Sequence, residues 1–239
     1  MRMRHFAYLG LMMLLALPMT AGRVLAEAPL KVVATTGMIA DAARQIGGDA
    51  VKVQALMGPG VDPHGYRQTR SDIVAMTRAD LVLWHGLYLE AQMQDFFHDL
   101  QRKRPVVAVA EGLPKELLRG HDDYADKYDP HVWMTPVLWK LVVAEVQEAL
   151  TTARPASEEV FAANAATHLA DLDRLIAYGT DVLSQVPENN RVLLTAHDAF
   201  GYFGRDFGFE VLGVQGISTQ SEAGLNRIGE LVDLLVSRD

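Results

Sequence analysis

The chain has no cysteine among its 239 residues. That excludes disulfides, even in an oxidising compartment. It also leaves no thiol after the N-terminal segment to carry a lipid, so the mature protein is expected to be free and not tethered. Positive charge is in deficit, with 22 Lys and Arg against 30 Asp and Glu and a formal net charge of −8. This balance argues against nucleic acid and against a basic membrane-binding face, and it is compatible with a cationic ligand. Beyond the first 26 residues no run is long and apolar enough to cross a bilayer. Familiar catalytic signatures are missing as well: no His-Glu-x-x-His, no Gly-x-Ser-x-Gly, no phosphate-cradling glycine loop. An apolar content of 49% still marks a globular chain.

What is present begins with Arg2, Arg4 and His5, an apolar run from Leu9 to Pro18, and Val24-Leu25-Ala26. A basic start, a short apolar middle and a small residue at the exit predict a secretory signal, residues 1–26, cleaved after Ala26. About 210 residues then remain, enough for one large core or two small ones. An exported, untethered protein of this kind fits a Gram-negative periplasm.

Lys31 to Thr36 reads as a buried first strand, followed by an amphipathic helix through Ile39, Ala42, Ala43 and Ile46 that Gly47-Gly48 stops. Val51 to Met57 is a second strand, Leu81 to Trp84 a third and Pro105 to Ala110 a fourth. A short helix over 72–78, capped by Thr69 or Ser71, and another over 90–102 lie between them. Strands alternating with helices predict βαβ units and a parallel sheet, with ligand loops beyond the carboxyl ends of the strands. Thr135-Pro136 caps a helix to about Leu150. From Ser157 to Pro187 one helical period continues through Phe161, Leu172 and Leu183. Its length, roughly 45 Å at 1.5 Å per residue, suits a rigid spine between two lobes. Arg191 to Leu194 starts a second βα set, with a strand at Phe209 to Gln215 and a helix from Glu222 to Val236. The expected organisation is therefore an α/β chain with an N-terminal lobe over 29–154, a linking helix over 157–187 and a C-terminal lobe over 190–239. Two strands are too few to cover a parallel sheet on both faces, so this second lobe is expected to be incomplete.

Asp62-Pro63-His64-Gly65-Tyr66 and Asp129-Pro130-His131-Val132-Trp133 repeat one pattern. Proline stiffens each element and holds the preceding aspartate extended. Each histidine is thus presented from a rigid backbone, with an aromatic two residues on that can pack beneath it. His197 follows an apolar run in Leu194-Thr195-Ala196-His197-Asp198. His64, His131 and His197 are the candidate ligands of one transition-metal ion. Asp62, Asp129 and Asp198 are candidates to orient the rings. His85, after the third strand, is placed near the site, and His121 lies in an acidic loop. His98 and His168 are expected on helix surfaces, and His5 leaves with the signal.

These elements, with Gly86-Leu87-Tyr88-Leu89-Glu90, His197-Asp198-Ala199-Phe200-Gly201-Tyr202-Phe203 and Gly216-Ile217-Ser218-Thr219-Gln220-Ser221-Glu222, occur in an order and spacing that carries a resemblance. From about Lys31 onward the chain resembles the manganese/zinc receptors of bacterial ABC importers. The resemblance implies two α/β lobes with parallel sheets joined by one long rigid helix, and a metal in the cleft between them. It places the first three ligands on His64, His131 and His197. Its fourth ligand, a carboxylate, falls beyond Asp239. Zinc-specialised members carry a histidine-rich loop before the second ligand, whereas Glu111 to Tyr128 is short and holds only His121.

The reading is a monomeric periplasmic protein that binds Zn2+ or Mn2+, with Fe2+ third, and delivers it to an ABC permease in the inner membrane. Closure of the lobes is expected to be limited, because a continuous helix resists bending. The rival is a three-histidine metal-dependent hydrolase, which needs a base beside an open coordination position. A surface adhesion module is disfavoured by the missing anchor cysteine.

Overall fold

The computed structural model describes residues 28–120, 126–220 and 222–237. The segment over 1–26 read as a signal, His121 and Ser221 lie outside these residues. Four strands, β1 (Leu30–Ala34), β2 (Val51–Ala55), β3 (Leu81–Trp84) and β4 (Val106–Ala108), form one parallel sheet in the order β2-β1-β3-β4. The two central strands are apolar because both of their faces are covered. All four residues of β3 are buried, while edge strand β2 turns Lys52 and Gln54 to solvent.

Helix α1 (Gly37–Gly47) starts where the Thr36 hydroxyl accepts the Ile39 N–H. Helix α2 (Arg70–Arg78) carries a capping box between Thr69 and Asp72. Helix α3 (Gln94–Gln101) is shorter than the sequence predicts. A 3-10 turn over Ala91–Met93 precedes it, because the Glu90 side chain is drawn back to the end of β3. Helix α4 (Pro136–Ala153) opens on the Thr135 cap and Pro136, as expected. One core gathers α1, α4 and the long helix α5 (Glu158–Ser184) against the sheet. A second gathers Met76 of α2 and Phe97 of α3 against Val33, Val82 and Trp84 on the other side.

Helix α5 runs 27 residues, about 40 Å, with no proline to bend it. Its first half is buried through Phe161, Ala165 and Leu172 against α4 and α1. Its second half leaves that core, and Leu175, Tyr178 and Val182 are exposed. It leads to a smaller unit, where β5 (Val192–His197) and β6 (Glu210–Gln215) pair in parallel. Between them lies α6 (Gly201–Phe207), a helix the sequence reading did not place. Seven residues are too few for a visible helical period, and two of them are glycine. Gly204 allows the close approach, since a Cβ there would meet the Phe209 carbonyl at 2.6 Å. Helix α7 (Leu225–Val236) closes the described chain, burying Leu231 and exposing Leu225, Val232 and Val236. Among the described residues no helix is long and apolar enough to cross a membrane.

Candidate metal centre

The sheet order reverses between β1 and β3, and ligand sites of such sheets gather at the carboxyl ends beside that reversal. His64 follows β2, His131 follows β4, and His197 is the last residue of β5. Three distant stretches of chain thereby meet on one side. The ring centroids of His64 and His131 are 5.2 Å apart, those of His131 and His197 5.3 Å, and those of His64 and His197 5.9 Å. One nitrogen from each ring can be chosen so that all three lie within 4.8 Å of one another.

In both Asp-Pro-His elements the aspartate accepts its own histidine's backbone N–H, but the two carboxylates are used differently. Asp129 Oδ1 accepts the His131 N–H at 2.9 Å and the His131 Nδ1–H at 2.8 Å. This fixes the tautomer and leaves the His131 Nε2 lone pair facing inward. Asp62 Oδ1 accepts the His64 backbone N–H at 3.0 Å, but its other oxygen accepts the Thr219 hydroxyl at 2.5 Å. Asp62 thus ties the first histidine loop to the loop after β6. The expected aromatic packing holds for His131, whose ring meets Trp133 at 5.1 Å. Tyr66 instead donates its hydroxyl to Asp72 and joins the core under α2, a correction to the symmetric reading. The Asp198 N–H donates to the Gln215 and Gly216 carbonyls, which fastens the end of β5 to β6.

His64 Nε2 and His131 Nε2 face each other at 3.2 Å. Tetrahedral coordination at about 2.0–2.1 Å sets its nitrogens roughly 3.3 Å apart, so this pair already has ligand spacing. Burial, and then the neighbouring His131, hold the His64 imidazole down at about 4, against the opposing pull of Asp62. Burial and His131 lower His197 as well. Neutral imidazoles crowded around one point suit a soft or borderline divalent cation.

The stretches Gly86 to Glu90 and His197 to Phe203 carry the resemblance without assigning a role to Glu90 or Tyr202, and both help to build the site. Glu90, fully buried, accepts the Thr35 hydroxyl at 2.6 Å, the His85 N–H at 2.8 Å and the Gly86 N–H at 3.2 Å. Burial raises its pKa. The three residues from Gly86 to Tyr88 have φ of 85°, 50° and 66°, left-handed backbone that is costly for Leu87 and Tyr88. Glu111 holds the Leu87 N–H at 2.8 Å against that strain. This loop forms one wall of a pocket of about 120 Å³ that reaches His64, with Ile217 and Gln220 opposite. Tyr202 of α6 donates to the Asp129 carbonyl at 2.8 Å and accepts the Arg119 N–H at 3.0 Å, so the smaller unit grips the backbone of the second element. Of the other histidines, His98 is exposed as expected, His168 is partly exposed on its helix, and His85 is buried against Trp133.

The family profile of the periplasmic zinc-uptake complex component A matches residues 32–239. The manganese-binding lipoprotein MntA of Bacillus subtilis is 44% identical over 213 residues, which is 89% of this chain and 69% of MntA. The zinc-binding protein TroA of Treponema pallidum is 42% identical over 207 residues, 87% of this chain and 67% of TroA. Its solved structure superposes with a TM-score of 0.85 over 88% of this chain and 75% of that one. The iron ABC transporter substrate-binding lipoprotein MtsA of Streptococcus pyogenes is 26% identical over 96% of this chain and 76% of its own length. This chain thus spans about two thirds of the length of MntA and TroA. The α/β architecture with parallel sheets and a long helix is that of TroA. The chain belongs to the family of the periplasmic zinc-uptake complex component A.

Proposed function

We propose that this chain captures a divalent transition metal on His64, His131 and His197 and delivers it to the membrane permease of an ABC importer. The observation that carries the reading is the convergence of three imidazoles from three separate elements, one of them aimed by a buried carboxylate. MntA, TroA and MtsA are named for manganese, zinc and iron, so donor chemistry and relatives together leave Mn2+ and Zn2+ level and Fe2+ third. The protein acts as a monomer outside the cytoplasm. MntA and MtsA are named lipoproteins, whereas this sequence contains no cysteine to acylate. A periplasmic location is part of the same proposal. Its working units are the lobe over 29–154, the helix over 157–187 and the lobe beginning at 190. The names of the relatives speak of binding and not of turnover, and the hydrolase alternative finds no support in them.

Elemental analysis of protein isolated from a periplasmic extract without chelators tests the reading. About one equivalent of manganese or zinc per chain is expected. Chelator-sensitive turnover of simple esters by zinc-loaded protein would restore the hydrolase instead.

The contact between Asp62 and Thr219 joins the two units through the same carboxylate that accepts the His64 N–H. Thr219→Val removes the hydroxyl and keeps the shape. Release of metal to a chelator, followed by stopped flow, is expected to become several-fold faster with capture unchanged. An unaltered release rate would show that the contact holds nothing shut.

A further inference from the structure

His85 is fully buried, yet it is not a ligand in the cluster of three. Its Nε2–H donates to the Pro130 carbonyl at 2.7 Å. That carbonyl also accepts the Val132 N–H at 2.8 Å, across a turn centred on His131 with φ −77° and ψ 40°. The backbone that carries His131 is thus a tight inverse γ-type turn, closed on the one oxygen that His85 holds. The His85 ring also meets Trp133 edge-on at 5.1 Å, and Trp133 meets His131 at the same distance.

The placement of His85 is itself fixed from the backbone side. Its N–H is bound by the Glu90 carboxylate, and the next residue, Gly86, turns left-handed at φ 85°. A Cβ at Gly86 would fall 2.7 Å from the Glu111 side chain, so the chain must turn there on glycine. The other ring nitrogen, Nδ1, is buried with no hydrogen-bond partner. Leaving a buried acceptor unsatisfied is unfavourable, and a leucine or phenylalanine in the same space avoids that cost. Packing alone does not account for an imidazole at this place; the Nε2–H bond does.

We infer that His85 is a positioning residue: it holds the Pro130 carbonyl and thereby fixes the turn that aims His131 Nε2 at His64 and His197. Asp129 orients the ring from one side, and His85 orients the backbone from the other. The inference rests on the metal-binding reading given above.

The test compares the parent with His85→Phe and His85→Gln. It measures Zn2+ affinity by chelator competition, the visible spectrum of the Co2+-loaded protein, and the melting temperature without metal. Partners behind metal ligands typically contribute 10–100-fold to affinity. His85→Phe is expected to weaken Zn2+ binding by about that factor and to alter the Co2+ bands, which report ligand geometry. His85→Gln keeps an amide donor for the same carbonyl and is expected to recover most of both. His85→Leu replaces the Phe variant if the latter does not fold. Parent-like affinity and spectrum in the apolar variants overturn the inference. So does a loss in His85→Gln equal to theirs, since that marks a purely structural role. A parent that binds no Zn2+ overturns the metal-binding reading itself, and this inference with it.

Discussion

His131→Ala is expected to abolish stable metal binding, with a loss of affinity of about a thousandfold or more, or roughly 4 kcal/mol. The substitution removes the most constrained of the three donors. His131 and Asp129 are each 1% exposed, so little water can replace the imidazole. It also strips the buried Asp129 carboxylate of its Nδ1–H partner and leaves the backbone N–H and Arg119, at 3.8 Å, to hold it. Breaking a buried charged hydrogen bond by deleting one partner is costly in its own right. His197→Ala is expected to lose less, because His197 is half-buried at a strand end and water can occupy its place. Competition titration against a chromophoric chelator separates the two. One equivalent of tightly held metal in the His131→Ala protein would remove this residue from the site.

The second large effect is expected in acid. A cation binds only neutral imidazoles, so protons compete with it for each ring. His64 is held near 4 and His197 is lowered too, so protons are poor competitors above about pH 6. Metal retention is expected to be flat between pH 8 and 6 and to collapse as the pH falls toward 4. Equilibrium dialysis across that range checks it, and half-loss already near pH 7 would mean that the rings titrate at ordinary values.

The same shifts govern the metal-free fold. His64 has a folded pKa below its unfolded value of about 6.5, so its contribution to stability is fully present above pH 6.5. That contribution is lost as the pH falls toward about 4. For His64 alone this is on the order of 3 kcal/mol. His85, held down at about 3 by burial, adds a loss of the same sign that extends to lower pH. Melting temperatures of the metal-free protein are thus expected to fall steeply below pH 6.5.

Much of this was legible in the residues themselves. Apolar runs such as Leu81 to Trp84 read as central strands because both faces of a parallel sheet are buried, which leaves no alternation to confuse the pattern. Thr135-Pro136 and the long period after Ser157 marked helices through local chemistry, namely caps and repeated burial on one face. The candidate site was legible because proline stiffens each Asp-Pro-His element within five residues, and the same five residues supply the histidine and its aspartate. Local information of this kind survives in one dimension.

Other features depended on what the chain brings together from far apart. The equality of the two Asp-Pro-His elements failed because Asp62 finds Thr219, 157 residues away, while Asp129 stays with its own histidine. Glu90 read as the start of a helix, but three donors at the end of β3 and β1 claim its carboxylate. Helix α6 and the role of Tyr202 were not legible in sequence because a seven-residue helix is stabilised by the neighbours it grips and not by its own period. The sequence alone determined that three histidines were available on stiff, strand-end supports. Only the tertiary structure decided which partner holds each one, because a hydrogen bond is set by distances in space that no spacing along the chain encodes.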